Sequence, residues 1–221
     1  IGGGLLLLCF GLHQGQREHS LLRWHELRQP VYLLGLLLYF LYYLIANASN
    51  YIFPVFAQRV LNLPLNTVGW LASFAAAASW LAALIYVRYS ARVVQKRGWM
   101  MAGAAWMALS AAWFAHLPNN APWLVLLPAL AAKGVFGALF VLPVASLTFR
   151  DLGDEHFGPG YQSKNLLRHL AISLGMAVAA IGQGHLQTAS TPALACAQLY
   201  HYLALASLAL LGLVLAQQRF R

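Results

Sequence analysis

A bundle of membrane-spanning helices is the fold this sequence predicts, and two observations predict it. Of 221 residues, 61% are hydrophobic and only 9% are charged, with a mean hydropathy of +0.64. A soluble domain of that length needs far more polar surface to stay dispersed. The apolar residues are also gathered into runs: five are long enough to cross the hydrocarbon core, which takes about 20 residues of helix, and a sixth is shorter. The class is therefore all-α, a polytopic transmembrane helical bundle. No alternation of period two supports a membrane barrel.

In chain order the runs cover residues 31–57, 67–87, 99–115, 122–149, 166–186 and 194–216. The third reaches spanning length when Gly98, His116 and Leu117 join it. Ahead of the first run, "IGGGLLLLCF" has neither an initiator Met nor the basic start of a signal peptide. Residues 1–11 are read as the end of a preceding, truncated membrane helix, so the chain is expected to be the C-terminal part of something longer. Residues 12–30 then form a cytoplasmic connection, 31–217 the six-span bundle, and 218–221 a cytoplasmic tail.

Charge orients the spans. The loops rich in Lys and Arg alternate along the chain, and such loops stay in the cytoplasm. Eleven basic residues then lie inside and only Arg59 outside, with Lys133 and Arg168 in or at the membrane. Lys164 belongs, on this reading, to a cytoplasmic connection over 150–165. The C-terminus is cytoplasmic. All five acidic residues, Glu18, Glu26, Asp151, Asp154 and Glu155, fall in cytoplasmic loops. The net charge of +9 does not indicate nucleic acid, because the basic residues form no single face. Cys9 and Cys196 sit in apolar stretches without metal spacing and read as small buried residues.

A faint repeat joins the two halves of the bundle. The first span closes with "FPVFAQRVLNL" and the fourth with "LPVASLTFRDL", with Pro-Val and Asn/Asp-Leu at matching offsets. Three helices followed by three similar helices of opposite orientation form a 3+3 inverted repeat, an organisation found in transporters.

Three spans carry polar chemistry. On the first, residues advance by 100°, which puts Tyr39, Tyr43, Asn47, Asn50 and Pro54 on one face. Amide side chains have no hydrogen-bond partner in hydrocarbon. The stripe is therefore either a cavity wall, with Tyr43, Asn47 and Asn50 touching a cargo, or interhelical glue; both readings stay open. On the fourth span, Lys133 is the only charge between Ala121 and Phe149. It lies about 16 Å deep, beyond what side-chain snorkelling recovers. A role with cargo or protons competes with an ion pair to a carboxylate in the missing part of the protein. Gly134 and Gly137 thin the helix beside it. On the fifth span Arg168, Ala171 and Gly175 share a face. Its small residues make a packing seam, and Arg168 at its cytoplasmic end meets headgroups, a loop carboxylate or a gate. Of the histidines on the last two spans, His185 and His201 are the pair expected to be able to meet, a poor metal site on its own. No metal or other cofactor is expected.

These stretches also carry a family resemblance. "LLPALAAKGVFGALFVLPVASLTF" resembles a Pro-, basic-Gly- and Gly-x-x-Phe-x-Pro-containing run in the fourteen-helix drug:proton antiporters of the major facilitator superfamily. "SKNLLRHLAISLGMAVA" is similar to that family's Asn-x-x-Arg-x-x-x-x-Ser-x-Gly segment in the penultimate helix. "VRYSARVVQKRGWM" falls where the family repeats a basic loop. The resemblance implies the C-terminal six-helix half of such a fold, completed by a missing N-terminal half of the same chain, in the bacterial inner membrane. Lys133 and Gly134 match the basic-glycine pair, and Asn165, Arg168, Ser173 and Gly175 the penultimate-helix pattern. The basic loop keeps Arg92, Lys96 and Arg97 but lacks the family's Asp-Arg core, so no gating salt bridge is expected there. The implied function is secondary transport by alternating access, exchanging small amphipathic or cationic organic compounds for protons. The alternatives are a major facilitator carrier of another metabolite, or a membrane enzyme or scaffold. An enzyme is not expected, because no Ser/His or acid/His pair occurs at workable spacing.

Overall fold

The computed structural model describes residues 29–90, 96–119, 121–150 and 154–217. The expected preceding helix at 1–11, nearly all of the 12–30 connection, Arg92 and the 218–221 tail lie outside the described residues. Six long helices account for most of the rest. They are α1 (Pro30–Arg59), α2 (Leu65–Ser90), α3 (Lys96–Ala115), α4 (Leu127–Thr148), α5 (Asp154–Ala189) and α6 (Pro192–Ala216). A short 3-10 turn, Trp123–Leu126, leads straight into α4. There is no strand among the described residues. All but α3 are long and apolar enough to cross a membrane, so the chain is a multi-pass membrane protein.

Local chemistry sets several boundaries. A proline stands in the first two positions of α1, α4 and α6, where its missing N–H is not needed and its fixed φ suits the helix. Thr191 caps α6 by accepting from the Leu194 backbone N–H. The tight α1–α2 connection places Asn62 at φ 51°, a left-handed conformation that asparagine tolerates better than most residues.

One boundary departs from the sequence reading. α5 starts at Asp154, not at residue 166, so Lys164 is helical rather than part of a cytoplasmic connection. Tertiary contacts explain the early start. Tyr32 of α1 donates its hydroxyl to the Gly160 carbonyl at 2.9 Å, and Phe149, Phe157 and Tyr161 pack ring against ring. These contacts outweigh the loop-like "GPG" at 158–160.

Neighbouring contacts give each helix its direction. α5 runs parallel to α1: Gly160 meets Tyr32, Arg168 meets Tyr43, and Gly175 abuts the Leu44 backbone. α2 runs parallel to α4, with Gly134 against Ala75 and Gly137 against Ser79. α3 is antiparallel to α4, tied by a 2.7 Å bond from Ser110 Oγ to the Ala129 carbonyl. It is also antiparallel to α6, where Phe114 stacks on Tyr200 at 4.9 Å. α1 and α4 cross antiparallel at the centre, Tyr42 against Phe136 and Phe140. The helices thus form a row, α2–α4–α1–α5, backed by α3 and α6. Small residues at the crossings let the backbones approach closely, and such packing is the main cohesive force where lipid is as apolar as the core.

Arg97 holds the backing pair together. Its Nε donates to the Val214 carbonyl at 3.0 Å, and Nη2 donates to the Leu215 carbonyl. The last carbonyls of a helix have no partner of their own, so α3 caps α6 through this guanidinium. That assigns a structural task to a residue the sequence reading placed in a basic loop. Lys96 opens α3 beside it, half-buried.

Candidate functional site

A cleft of about 590 Å³ opens between α1, α2 and α4, with Met107 of α3 at its back. Its width follows from the side chains of α2: Gly69, Ala72, Ala75, Ala76 and Ser79 all line it. Its floor is where α4 meets α2 most closely. A methyl at Gly134 would overlap the Ala75 carbonyl oxygen, and one at Gly137 would lie 3.1 Å from Ser79 Oγ. Lys133 is the residue next to that contact, and it lines the cleft. It stands ten residues beyond Trp123 and fifteen before Thr148 in the 26-residue stretch Trp123–Thr148, about 15 Å from one end and about 22 Å from the other.

The cleft brings Lys133 together with Asn50, one of the three cavity residues expected on α1. Lys133 Nζ stands 5.4 Å from the centre of the Phe53 ring. Neither Lys133 nor Asn50 has a hydrogen-bond or ion-pair partner among the described residues. The other lining side chains are mostly aromatic or small, with Gln58 at one edge.

Tyr43 and Asn47 lie elsewhere. Asn47 returns its amide to the Tyr43 carbonyl of its own helix at 2.8 Å. Tyr43 turns its ring to α5, with the Arg168 guanidinium 5.1 Å from its centre, and its hydroxyl lies 3.3 Å from that of Tyr39. One polar stripe on α1 therefore serves two neighbourhoods, a cleft around Asn50 and a Tyr–Arg contact about 10 Å nearer Pro30.

The seam on α5 packs as its small residues suggest. Ala171 and Ala179 are buried, and a methyl at Gly175 would overlap the Leu44 carbonyl oxygen. Arg168 itself is exposed. Lys164, one turn earlier, is only 9% exposed and sits among the rings of Tyr161, Tyr39 and Phe149, at 4.3, 5.2 and 5.4 Å. Cation–π contacts of this kind offset part of the loss of water around the ammonium.

Sequence reading missed Tyr42, Phe53 and the aromatic setting of Lys164. A signal existed for the first two: they stand eleven residues apart, three turns, and so share one side of α1. It weighed only the histidines of the last two spans and so left out His116. His201 meets His116 of α3, with ring centres 5.0 Å apart, because α6 lies against α3. No group of three metal-ligating side chains occurs among the described residues.

No protein-family model matches the chain, and no curated protein matches it significantly. Function must therefore be argued from the cleft.

Proposed function

We propose that the chain is a six-helix half of a secondary transporter, of the major facilitator type, working by alternating access. It moves a small amphipathic organic compound in exchange for protons across a bacterial inner membrane, with its C-terminus in the cytoplasm. The observation that carries this reading is the mid-span cleft. An ammonium and an amide, both without partners among the described residues, face an open space where hydrocarbon would penalise them by several kcal/mol. Polar groups at that depth persist where they line a route for polar or charged cargo.

Two further observations support it. Exchanging α1 with α4, α2 with α5 and α3 with α6 turns the parallel pair α1·α5 into the parallel pair α4·α2 and leaves the α3·α6 and α1·α4 pairs unchanged. An inverted repeat of three helices would give these exchanges, although the contact of α5 with α6 has no counterpart of similar extent between α2 and α3. Pro54 and Pro143 lie inside α1 and α4, which exchange with each other.

Reconstitution tests the reading. The full-length protein that carries this half, in vesicles with a pH gradient of either sign, is expected to move a fluorescent amphipath at least about tenfold faster than empty vesicles. Collapse of the gradient should abolish the difference. Flux equal to that of empty vesicles under both gradients would contradict the proposal.

A further inference from the structure

Of the five acidic residues in this stretch of chain, Glu18, Glu26, Asp151, Asp154 and Glu155, chain length keeps four away from Lys133. Its ammonium lies over Phe53, 23 residues along α1 from Pro30, or about 34 Å. Asp154 and Glu155 open α5, whose Gly160 is bonded to Tyr32, so they stand at the Pro30 end of α1. Asp151 follows the end of α4 by three residues, about 10 Å of extended chain, whereas Lys133 lies about 22 Å back along that helix. Glu26 precedes Pro30 by four residues, about 14 Å at most. Glu18 alone has the reach, and only on a fully stretched arm of twelve residues, about 40 Å.

The contact it does have is insufficient. A cation over a phenyl face recovers only part of what an ammonium loses in leaving water. Beside the ammonium the cleft offers apolar and aromatic surface from Tyr42, Phe53 and Phe136, one amide at Asn50, and no carboxylate.

We infer that the cleft binds an amphipathic organic anion, its carboxylate or comparable acidic group on Lys133, its apolar body against Tyr42, Phe53 and Phe136, and Asn50 donating to a second oxygen. This deepens the transporter reading, and rests on it only in calling the ligand cargo. It also reverses the sign of cargo that the family resemblance favours. A cation entering this cleft meets a like charge and no compensating acid among the described residues.

The test compares three probes of one shape: 2-naphthoate, neutral 2-naphthamide and cationic 2-naphthylmethylamine. Binding to the purified full-length protein in nanodiscs is measured by isothermal titration against empty nanodiscs. Naphthoate is expected to bind at least about tenfold tighter than either analogue. The preference should vanish in Lys133→Met and survive in Lys133→Arg. Equal or tighter binding of the amine by the unaltered chain would overturn the inference, and that arm needs no variant to fold. A preference unchanged in Lys133→Met would overturn it as well. So would tighter naphthoate binding in Glu18→Gln, because Lys133 would then already be paired. Equilibrium binding is independent of flux. Lost preference with intact transport refutes the anion alone, and intact preference without transport refutes the transporter alone.

Discussion

Leucine at Gly134 is expected to abolish the folded bundle, and leucine at Gly175 to do the same. At both positions the neighbour is backbone, not a side chain that could rotate away. A Cβ at Gly134 overlaps the Ala75 carbonyl oxygen and lies 3.0 Å from Ser79 N; at Gly175 it overlaps the Leu44 carbonyl oxygen and lies 3.1 Å from Leu44 Cα. Relief requires whole helices to part, α2 from α4 in one case and α5 from α1 in the other. Overpacking costs about 1–3 kcal/mol even where side chains can adjust, and here the methyl is followed by a full isobutyl group. Gly184 provides the internal control. It lies on α5 with Gly175 but has nothing within 4 Å of an added Cβ, so Gly184→Leu should leave Tm within a few degrees, as surface changes do. The readout is Tm and monodisperse yield in detergent. A Gly134→Leu protein that keeps its Tm would show that α2 and α4 do not meet there.

Lys133→Met is expected to lower gradient-driven flux at least about tenfold while leaving the fold intact. Methionine has nearly the length and volume of the lysine stem, and replacing a buried ion by an apolar group of similar size is often neutral or stabilising. Loss of flux would then report the charge and not the packing. Lys133→Arg keeps the charge but spreads it over a wider planar group, and partial flux is expected. Flux and Tm both unchanged in Lys133→Met would remove this residue from the mechanism.

What could be read in the residues, and what could not, divides along physical lines. The spans were legible because hydrocarbon thickness imposes long apolar runs, and Lys133 because a lone charge in such a run stands out. The start of α5 was not: "GPG" at 158–160 has loop chemistry, and only the Tyr32 hydroxyl and the rings of Phe149, Phe157 and Tyr161 reveal why it is helical. Periodicity placed Tyr43 and Asn50 on one face of α1 correctly. It reports an angle about the axis, however, and not which helix lies opposite at each depth. α5 covers the stripe at Tyr43, whereas α2 and α4 leave the cleft at Asn50. The same limit hid the His116–His201 contact, which depends on α6 packing on α3. The glycines beside Lys133 were noticed, but their task of admitting the α2 backbone becomes visible only with both helices in place.

The central claim is that Lys133 faces an open cleft in mid-span and not acyl chains. A nitroxide attached at Lys133→Cys, with Cys9 and Cys196 replaced by serine and alanine, tests it in lipid vesicles. The reference is a nitroxide at Leu205→Cys, on the exposed face of α6 (61% exposed). The account predicts that the label at 133 collides with a water-soluble nickel chelate more often than the label at 205, and with oxygen less often. A label at 133 that relaxes with oxygen as readily as the one at 205, and is untouched by nickel, would contradict it.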